Sequence, residues 1–503
     1  MSGLAIASTS DLAADAATEI SAAGGNAIDA AIAATMVSAV TEPGVSSLGG
    51  GAFIALSREG GTPVIIDGNV RVPGLGASGE NPHLIDVYTD YGGGVRTLVG
   101  YGSIATPGGL AAFAHASRHY GVLPWSMLCE PALCRARDGF VLRAPSTTYL
   151  RHTHETIFGW QEETRVAIHN DDGRFVEEGA TVVILGLAKT LAEIARDGTD
   201  TFYRGPLGER IGQEIRANGG LLGFEDLQSY CVREVAPIAT QLGDWTINAP
   251  SSPSIGGATL SAMLQMLHGN FADGLTETTL DQLLDAQCRV LDYRRQHLDK
   301  SDDLDEAIKT LLGQAHVLAG TSQATAHTSA VDDAGNACAV TISSGYGSGV
   351  SPAGTGLWMN NTLGELELNP DGPGGLSPGA PLRSNMTPVI ALTDDGGVLA
   401  IGSPGADRIV TAMLQTILYL MDTGLSLAEA IAHPRAHVEL GDSEARVAYE
   451  EDLPVRPSGI HGRVFPAHSM FFGGVGAAML TPERGLEAAA DPRRNGVALA
   501  TSP

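Results

Sequence analysis

The sequence predicts an α+β fold, stacked sheets covered by helices, on three observations. Helical patterning leads the chain, alternation with Gly/Ser turns sets in at Thr325, and helical patterning returns after Gly405. With 503 residues, 43% of them hydrophobic and 17% charged, the chain can bury a large core and does not have a disordered composition. A composition shift over residues 300–325 is the one candidate boundary; no linker, low-complexity run or internal repeat stands out.

Each element has a local reason. Ser10 caps a helix that runs to the Gly24-Gly25 break, within a first stretch of 40 residues that reads as helical. Asn26 caps "AIDAAIAATMVSAV", where Ile28, Ile32 and Met36 recur among alanines, so this helix is expected to be buried and tightly packed. Glu42-Pro43-Gly44 ends it, and a triple glycine leads into a strand at Ala52–Leu56. "TPVIIDGN" is a second strand. "GGLAAFAHASRHYG", "LCEPALCRARDGF", Leu187–Asp197 and "PLGERIGQEIRANGG" read as helices. "APSSPSIGGATLSAMLQML" is a loop feeding a helix, and Val290–Leu312 reads as a charged surface helix. From Thr325, Ala326–Val331, the turn Asp332–Asn336 and "ACAVTIS" make a β-hairpin. "GLWMNN", "TPVIALT" and "VLAIGS" read as strands. A helix with Ile409, Met413 and Ile417 on one stripe follows, then one opened by a Ser426/Glu429 capping box.

Thirty basic against 57 acidic residues leave a formal charge of −27, which disfavours nucleic acid and anionic membrane surfaces as partners. No apolar run approaches the roughly 18 residues of a membrane span, and no basic stretch followed by an apolar one opens the chain. A cytoplasmic location is the expectation. The five cysteines form no CxxC or Cys/His ligand set, so no structural zinc, other metal or disulfide framework is expected, and no cofactor.

Several stretches invite a chemical reading. "SSLGGGAF" lacks the Gly-Lys-Ser/Thr ending of a phosphate loop and leads into a strand, so close packing is its expected role. The hydroxyls of "APSSPSIGG" suit helix capping. His152 and His154 have no carboxylate or third ligand in pattern and read as a surface loop. "IGSPGADRIV" joins an apolar strand to a long helix, where outward-pointing N–H groups at Gly402–Asp407 could stabilise an oxyanion. A threonine hydroxyl is a weak nucleophile that needs a base. Cutting the chain before Thr325 would supply one, an α-amine with a pKa near ~8.

These motifs together resemble the γ-glutamyltransferase (γ-glutamyltranspeptidase) family of N-terminal-nucleophile enzymes. "GGNAIDAAIAATMVSAVTEPGVSSLGGGAFI", "TPGGLAAF", "FYRGPLGERIGQEIRANGGLLGFEDLQSY", "APSSPSIGG", "TAHTSAVDDAGNACAVT", "MNNTLGE", "RSNMTP" and "GSPGADRIV" follow one another in the family's order over nearly the whole chain. The resemblance implies a four-layer αββα sandwich and self-cleavage between Ala324 and Thr325. It implies a large subunit, 1–324, and a small one, 325–503, intertwined as one catalytic domain that can itself dimerise. Thr325 would carry the acyl group, with water or an amine as acceptor and a small γ-glutamyl or other acyl amide as substrate. Ser343 would hydrogen-bond the nucleophile, and the N–H groups of Gly405 and Ala406 would form the oxyanion hole.

On the acyl side the resemblance places Glu365 at the substrate ammonium, Ser384 and Asn385 at the α-carboxylate, and Thr362 where a Gln is usual. Gly345 stands where an Asn is usual. Asn69 occupies the position of the family's carboxylate-clamping Arg, and Arg71, two residues on, is a candidate to reach the same anion. The segment after Glu365 is shorter than in relatives with a lid, so an open pocket is expected. The stretch before Thr325 is short too, which bears on the rate of self-cleavage. Two other readings stand beside γ-glutamyl transfer: a related acyl-amide hydrolase of the cephalosporin acylase or oxamate amidohydrolase kind, and a non-catalytic relative that binds a small metabolite.

Overall fold

The computed structural model describes residues 3–77, 82–91, 94–313, 325–370, 372–405, 408–441, 445–457 and 461–501. Two antiparallel sheets organise them. The first runs Val497–Thr501, Leu4–Ser8, Ala326–Asp332, Ala337–Ser343, Gly51–Ser57, Val64–Gly68, Arg233–Val235. The second runs Gly485–Ala490, Gly476–Thr481, Val398–Gly402, Val389–Thr393, Trp245–Ala249, Ile238–Leu242. Each sheet mixes strands from before and after Thr325, so neither part of the chain completes a sheet alone.

Side-chain alternation assigns the faces. On the central hairpin, Ala326, Ala330, Cys338 and Val340 join the core beneath the N-terminal helices, with Ile28, Ile32 and Met36. Val331, Ala337 and Ala339 point the other way and pack on Ile390, Val398 and Ala400 of the second sheet. That sheet's far face, with Ile247, Ala391, Leu399 and Ile401, is covered by helices Ile255–Leu267 and Arg408–Asp422. The layers are therefore helix, sheet, sheet, helix, a four-layer αββα sandwich.

The helix Ala27–Thr41 is buried at every position. Its alanines let it lie close under the hairpin. Its start is fixed by a capping box in which Asn26 accepts from Ile28 and Asp29 N–H groups at 3.0 Å. Ser10 and Ser426 cap their helices as the sequence reading has them, and Leu187–Asp197 matches to the residue.

Three expectations are corrected. Leu4–Ser8 lies within the stretch read as helical but is a strand, because Val497–Thr501 and Ala326–Asp332 pair with its two edges. Val290–Leu312 is not one surface helix. A helix Glu277–Tyr293 runs into a wide turn at Arg294–Leu298 and then Leu304–Gly313, with Arg294 wholly buried and its Nε 3.2 Å from Asp299. "GLWMNN" makes a single bridge, Met359 to Gly49, rather than a strand.

Candidate active site

The ladder of the first sheet builds a row of four residues. Ala326 pairs with Ile342, Ser343 with Gly51, and Ala52 with Gly68. One further step along each ladder sets Thr325 abreast of Ser343 and Gly51 abreast of Asn69. Directly paired side chains have Cβ atoms about 5 Å apart, so the two hydroxyls are neighbours. Asn69 lies three strand spacings away, about 14 Å. Gly51 keeps the ground between them clear: a Cβ there would sit 3.1 Å from Asn69 Oδ1 and 2.8 Å from Val70 N. The triple glycine is thus a packing device, since Cβ atoms at Gly49 and Gly50 would strike the Trp358 and Ser343 carbonyls.

Thr325 and Ser343 lie on the side of the hairpin that faces the second sheet, as do His327 and Thr341. His327 is the contact that matters. Its ring fills the place a Cβ on Gly402 would take, while Nδ1 meets Thr341 Oγ1 at 2.9 Å and Nε2 meets Ser329 Oγ at 2.8 Å. Burial pushes its pKa down to about 3, so it is a neutral spacer. Gly402 is the last residue of its strand, so the Ser403–Gly405 turn begins beside His327, two residues along the chain from Thr325.

That turn is braced from behind. Gly405 has φ +120°, and a Cβ there would meet the Gly473 Cα at 2.6 Å and Arg494 Nη2 at 3.3 Å. Gly474 N–H donates to Ser403 Oγ at 3.1 Å. The 469–475 segment is in turn tied to a buried ionic network: Ser469 N–H donates to Glu450 and Val475 N–H to Asp491, at 3.0 and 2.9 Å. Arg493 bridges Glu450 and Asp491, and Arg435 meets Asp491 at 2.7 Å and the Phe472 carbonyl at 2.9 Å. Ala406 and Ala324 lie outside the described residues, as does the stretch before Thr325.

Residues 360–365 are strapped to the chain after Ser343. Tyr346 N–H donates to Asn361 Oδ1 at 2.7 Å, and Asn361 N–H to the Ser344 carbonyl at 3.2 Å. Thr362 opens the short helical turn that presents Glu365. A Cβ on Gly345, at φ +61°, would lie 2.8 Å from Glu365 Oε1 and 2.5 Å from Asn361 Oδ1. The missing side chain at Gly345 is therefore the space Glu365 fills. Burial first, then the charge of Glu367, holds the Glu365 carboxyl well above the usual carboxylate range, with the Thr362 hydroxyl opposing.

Asn69 Nδ2 donates to the Leu382 carbonyl at 2.7 Å, which brings the 380–384 segment alongside it. Ser384 bridges to Ser254 at the start of helix Ile255–Leu267, and its hydroxyl accepts from Met386 N–H at 3.1 Å. Asn385 is buried beside it.

Arg71 goes elsewhere. Its guanidinium turns back to Asp67 at 2.8 Å and to the Asn69 and Val70 carbonyls, over the Tyr230 ring. The reason is Asp67, a fully buried carboxylate that also takes Arg233 at 2.7 Å. The open pocket is corrected too: Thr325, Ser343, Thr362, Glu365, Ser384 and Asn385 are all buried, Ser343 the most exposed at 9%. The shortened segment packs down, with Leu382 joining Val70, Val72 and Leu363 in an apolar cluster. His152 and His154 are not in a loop. His152 lies in the last turn of helix Ala144–Thr153 and His154 caps it, its Nδ1 3.0 Å from His169 Nε2. No group of three or more ligating residues occurs among the described residues.

Sequence reading missed His327, Tyr346, Glu367 and the Arg435–Asp491–Arg493–Glu450 network. His327 alternates with Thr325 on one face, which was a usable signal; the network joins residues up to 58 positions apart and had none.

The model of the family described as gamma-glutamyltranspeptidase matches residues 13–319 and 277–501. The chain belongs to the gamma-glutamyltranspeptidase family. Among curated relatives, the glutathione hydrolase proenzyme of Escherichia coli K12 is 29% identical over 93% of this chain and 87% of its own. The acylase ACY 1 proenzyme of Pseudomonas sp. SE83 is 28% identical over 98% and 92%. In solved structures, the cephalosporin acylase of Bacillus halodurans superposes with a TM-score of 0.80 at 23% identity, over 99% of this chain and 96% of that one, a likeness of fold. No helix among the described residues of this gamma-glutamyltranspeptidase relative is long and apolar enough to cross a membrane.

Proposed function

We propose that the chain is a self-processing γ-glutamyl amide hydrolase and transferase with Thr325 as nucleophile. The observation that carries it is the Thr325–Ser343 pair at the end of the inter-sheet layer, on the side of the Ser403–Gly405 turn. Family membership and relatives named as glutathione hydrolase proenzymes support the same reading.

Cleavage after Ala324 frees the Thr325 amine and yields segments 1–324 and 325–503, which stay together because both sheets are built from both. Thr325 Oγ then attacks the substrate amide carbonyl and passes its proton to its own amine. N–H groups of Gly405 and Ala406 take the oxyanion. The tetrahedral adduct collapses, the amine proton goes to the leaving nitrogen, and an ester to Thr325 remains. Water or an acceptor amine attacks that ester and regenerates the hydroxyl. Ser343 orients Thr325 Oγ, and Glu365 holds the substrate ammonium.

A second reading, hydrolysis of a dicarboxylic acyl amide, is supported by the similarity to the acylase ACY 1 proenzyme. Comparing γ-glutamyl-, glutaryl- and oxamyl-amides separates them: fastest turnover of the γ-glutamyl amide upholds the first, fastest turnover of either other amide the second. A cytoplasmic setting belongs to this proposal and is supported by five cysteines that are all unpaired. Association of the processed pairs into dimers is checked by light scattering.

A further inference from the structure

We propose that the acyl pocket recognises its substrate through one ammonium group and does not require a carboxylate, so that ω-aminoacyl amides such as 4-aminobutyryl amides are substrates of the same site. The inference rests on the Thr325 reading above and specifies its substrate class.

Glu365 is 1% exposed, and its Oε2 has no hydrogen-bond partner among the described residues. A buried carboxylate oxygen left without a donor is costly, and an ammonium supplies what it lacks. Glu367 adds a second carboxylate within electrostatic reach of Glu365, accepting from Tyr346 Oη at 2.8 Å. The hydroxyls of Tyr149 and Tyr346 flank the pair, the first donating to the Tyr346 carbonyl at 2.7 Å.

Three arginines near this pocket have partners of their own. Arg408, the one that acts on Tyr346, donates from Nε to the Phe471 carbonyl at 3.0 Å and stacks 4.5 Å over the Phe471 ring. Arg383 donates to the Ser301 carbonyl, in the field of Asp299 and Asp302. Arg71 is on Asp67. Asn69 spends its amide on Leu382. Two acids beside these engaged arginines favour a cationic acyl group, and the Ser384 hydroxyl with the Asn385 amide is a weaker hold on an anion than a guanidinium.

The test compares γ-glutamyl-, 4-aminobutyryl- and glutaryl-p-nitroanilide, which differ by deletion of the carboxylate or of the ammonium. The protein is the self-cleaved wild type. The 4-aminobutyryl compound is expected within tenfold of γ-glutamyl in kcat/KM, and both at least tenfold above glutaryl. Glu365→Gln, whose self-cleavage reports that it folds, should bring the three within tenfold of one another. A 4-aminobutyryl value more than tenfold below γ-glutamyl, or glutaryl within tenfold of the other two in the wild type, overturns the proposal. A preference unchanged in Glu365→Gln also overturns it. A cleaved protein that turns over none of the three defeats this inference and the γ-glutamyl reading, while an uncut chain defeats the Thr325 reading itself.

Discussion

Thr325 and Ser343 owe their positions to a hairpin whose register is locked from both sides, whereas Glu365 and Asn69 sit on irregular backbone held by side-chain amides. Leu4–Ser8 and Gly51–Ser57 flank the hairpin strand for strand, and a one-residue slip would turn Thr325 out of the inter-sheet layer. Glu365 depends on Asn361, on the emptiness of Gly345 and on an unsatisfied carboxyl. On the proposed mechanism the contrast separates two properties: the bond-making end is fixed by backbone, and the specificity end is free to change by single side chains.

The largest effect expected is Thr325→Ala. It should abolish self-cleavage and lower turnover by on the order of 10⁴ or more, read on a denaturing gel and by p-nitroaniline release. Next comes Asp491→Asn, which leaves Arg435 and Arg493 without their shared anion. Urea unfolding should show a loss of about 3–5 kcal/mol, with slower self-cleavage because the wall behind Gly405 loosens. Unchanged stability would show that the turn is not braced by this network.

Gly345→Ala sharpens the contrast from the other end. A Cβ at φ +61°, 2.7 Å from the Glu365 carboxyl carbon, should cost about 1–3 kcal/mol. It should raise KM while self-cleavage proceeds as in the wild type; slowed cleavage with normal KM would mean the two ends are not separable.

The last effect, seen only on acidification, concerns His327. Its folded pKa, about 3, is below the ordinary histidine value of 6.5, so the unfolded chain binds the proton first. The stability it contributes is whole above about pH 6.5 and is lost as pH falls toward 3, by at most about 1.4 kcal/mol per unit. Thermal melts of wild type and His327→Asn between pH 4 and 7 check this: the variant should show the shallower dependence.

The fold was legible wherever a local pattern sufficed. Ser10, Asn26 and Ser426 mark helix starts by short-range hydrogen bonds, and the 325–343 hairpin shows alternation around the Asp-Asp-Ala-Gly-Asn turn at 332–336. Leu4–Ser8 was not legible because its pairing partners lie hundreds of residues away, and the strands after residue 436, paired mostly with near neighbours, lack clear alternation. In the site, Thr325, Ser343 and Glu365 came from motif order. Arg71 misled because spacing alone cannot reveal that a buried Asp67 claims its guanidinium. The short segment after Glu365 misled because its leucines fold down instead of leaving a gap.

The central claim is that Thr325 becomes a new N-terminus. Intact mass with N-terminal sequencing of the purified protein tests it directly. Two chains, one ending at Ala324 and one beginning at Thr325, together with a single uncut chain from Thr325→Ala, are the predicted result. A wild-type protein that stays one chain and still hydrolyses γ-glutamyl amides would contradict it.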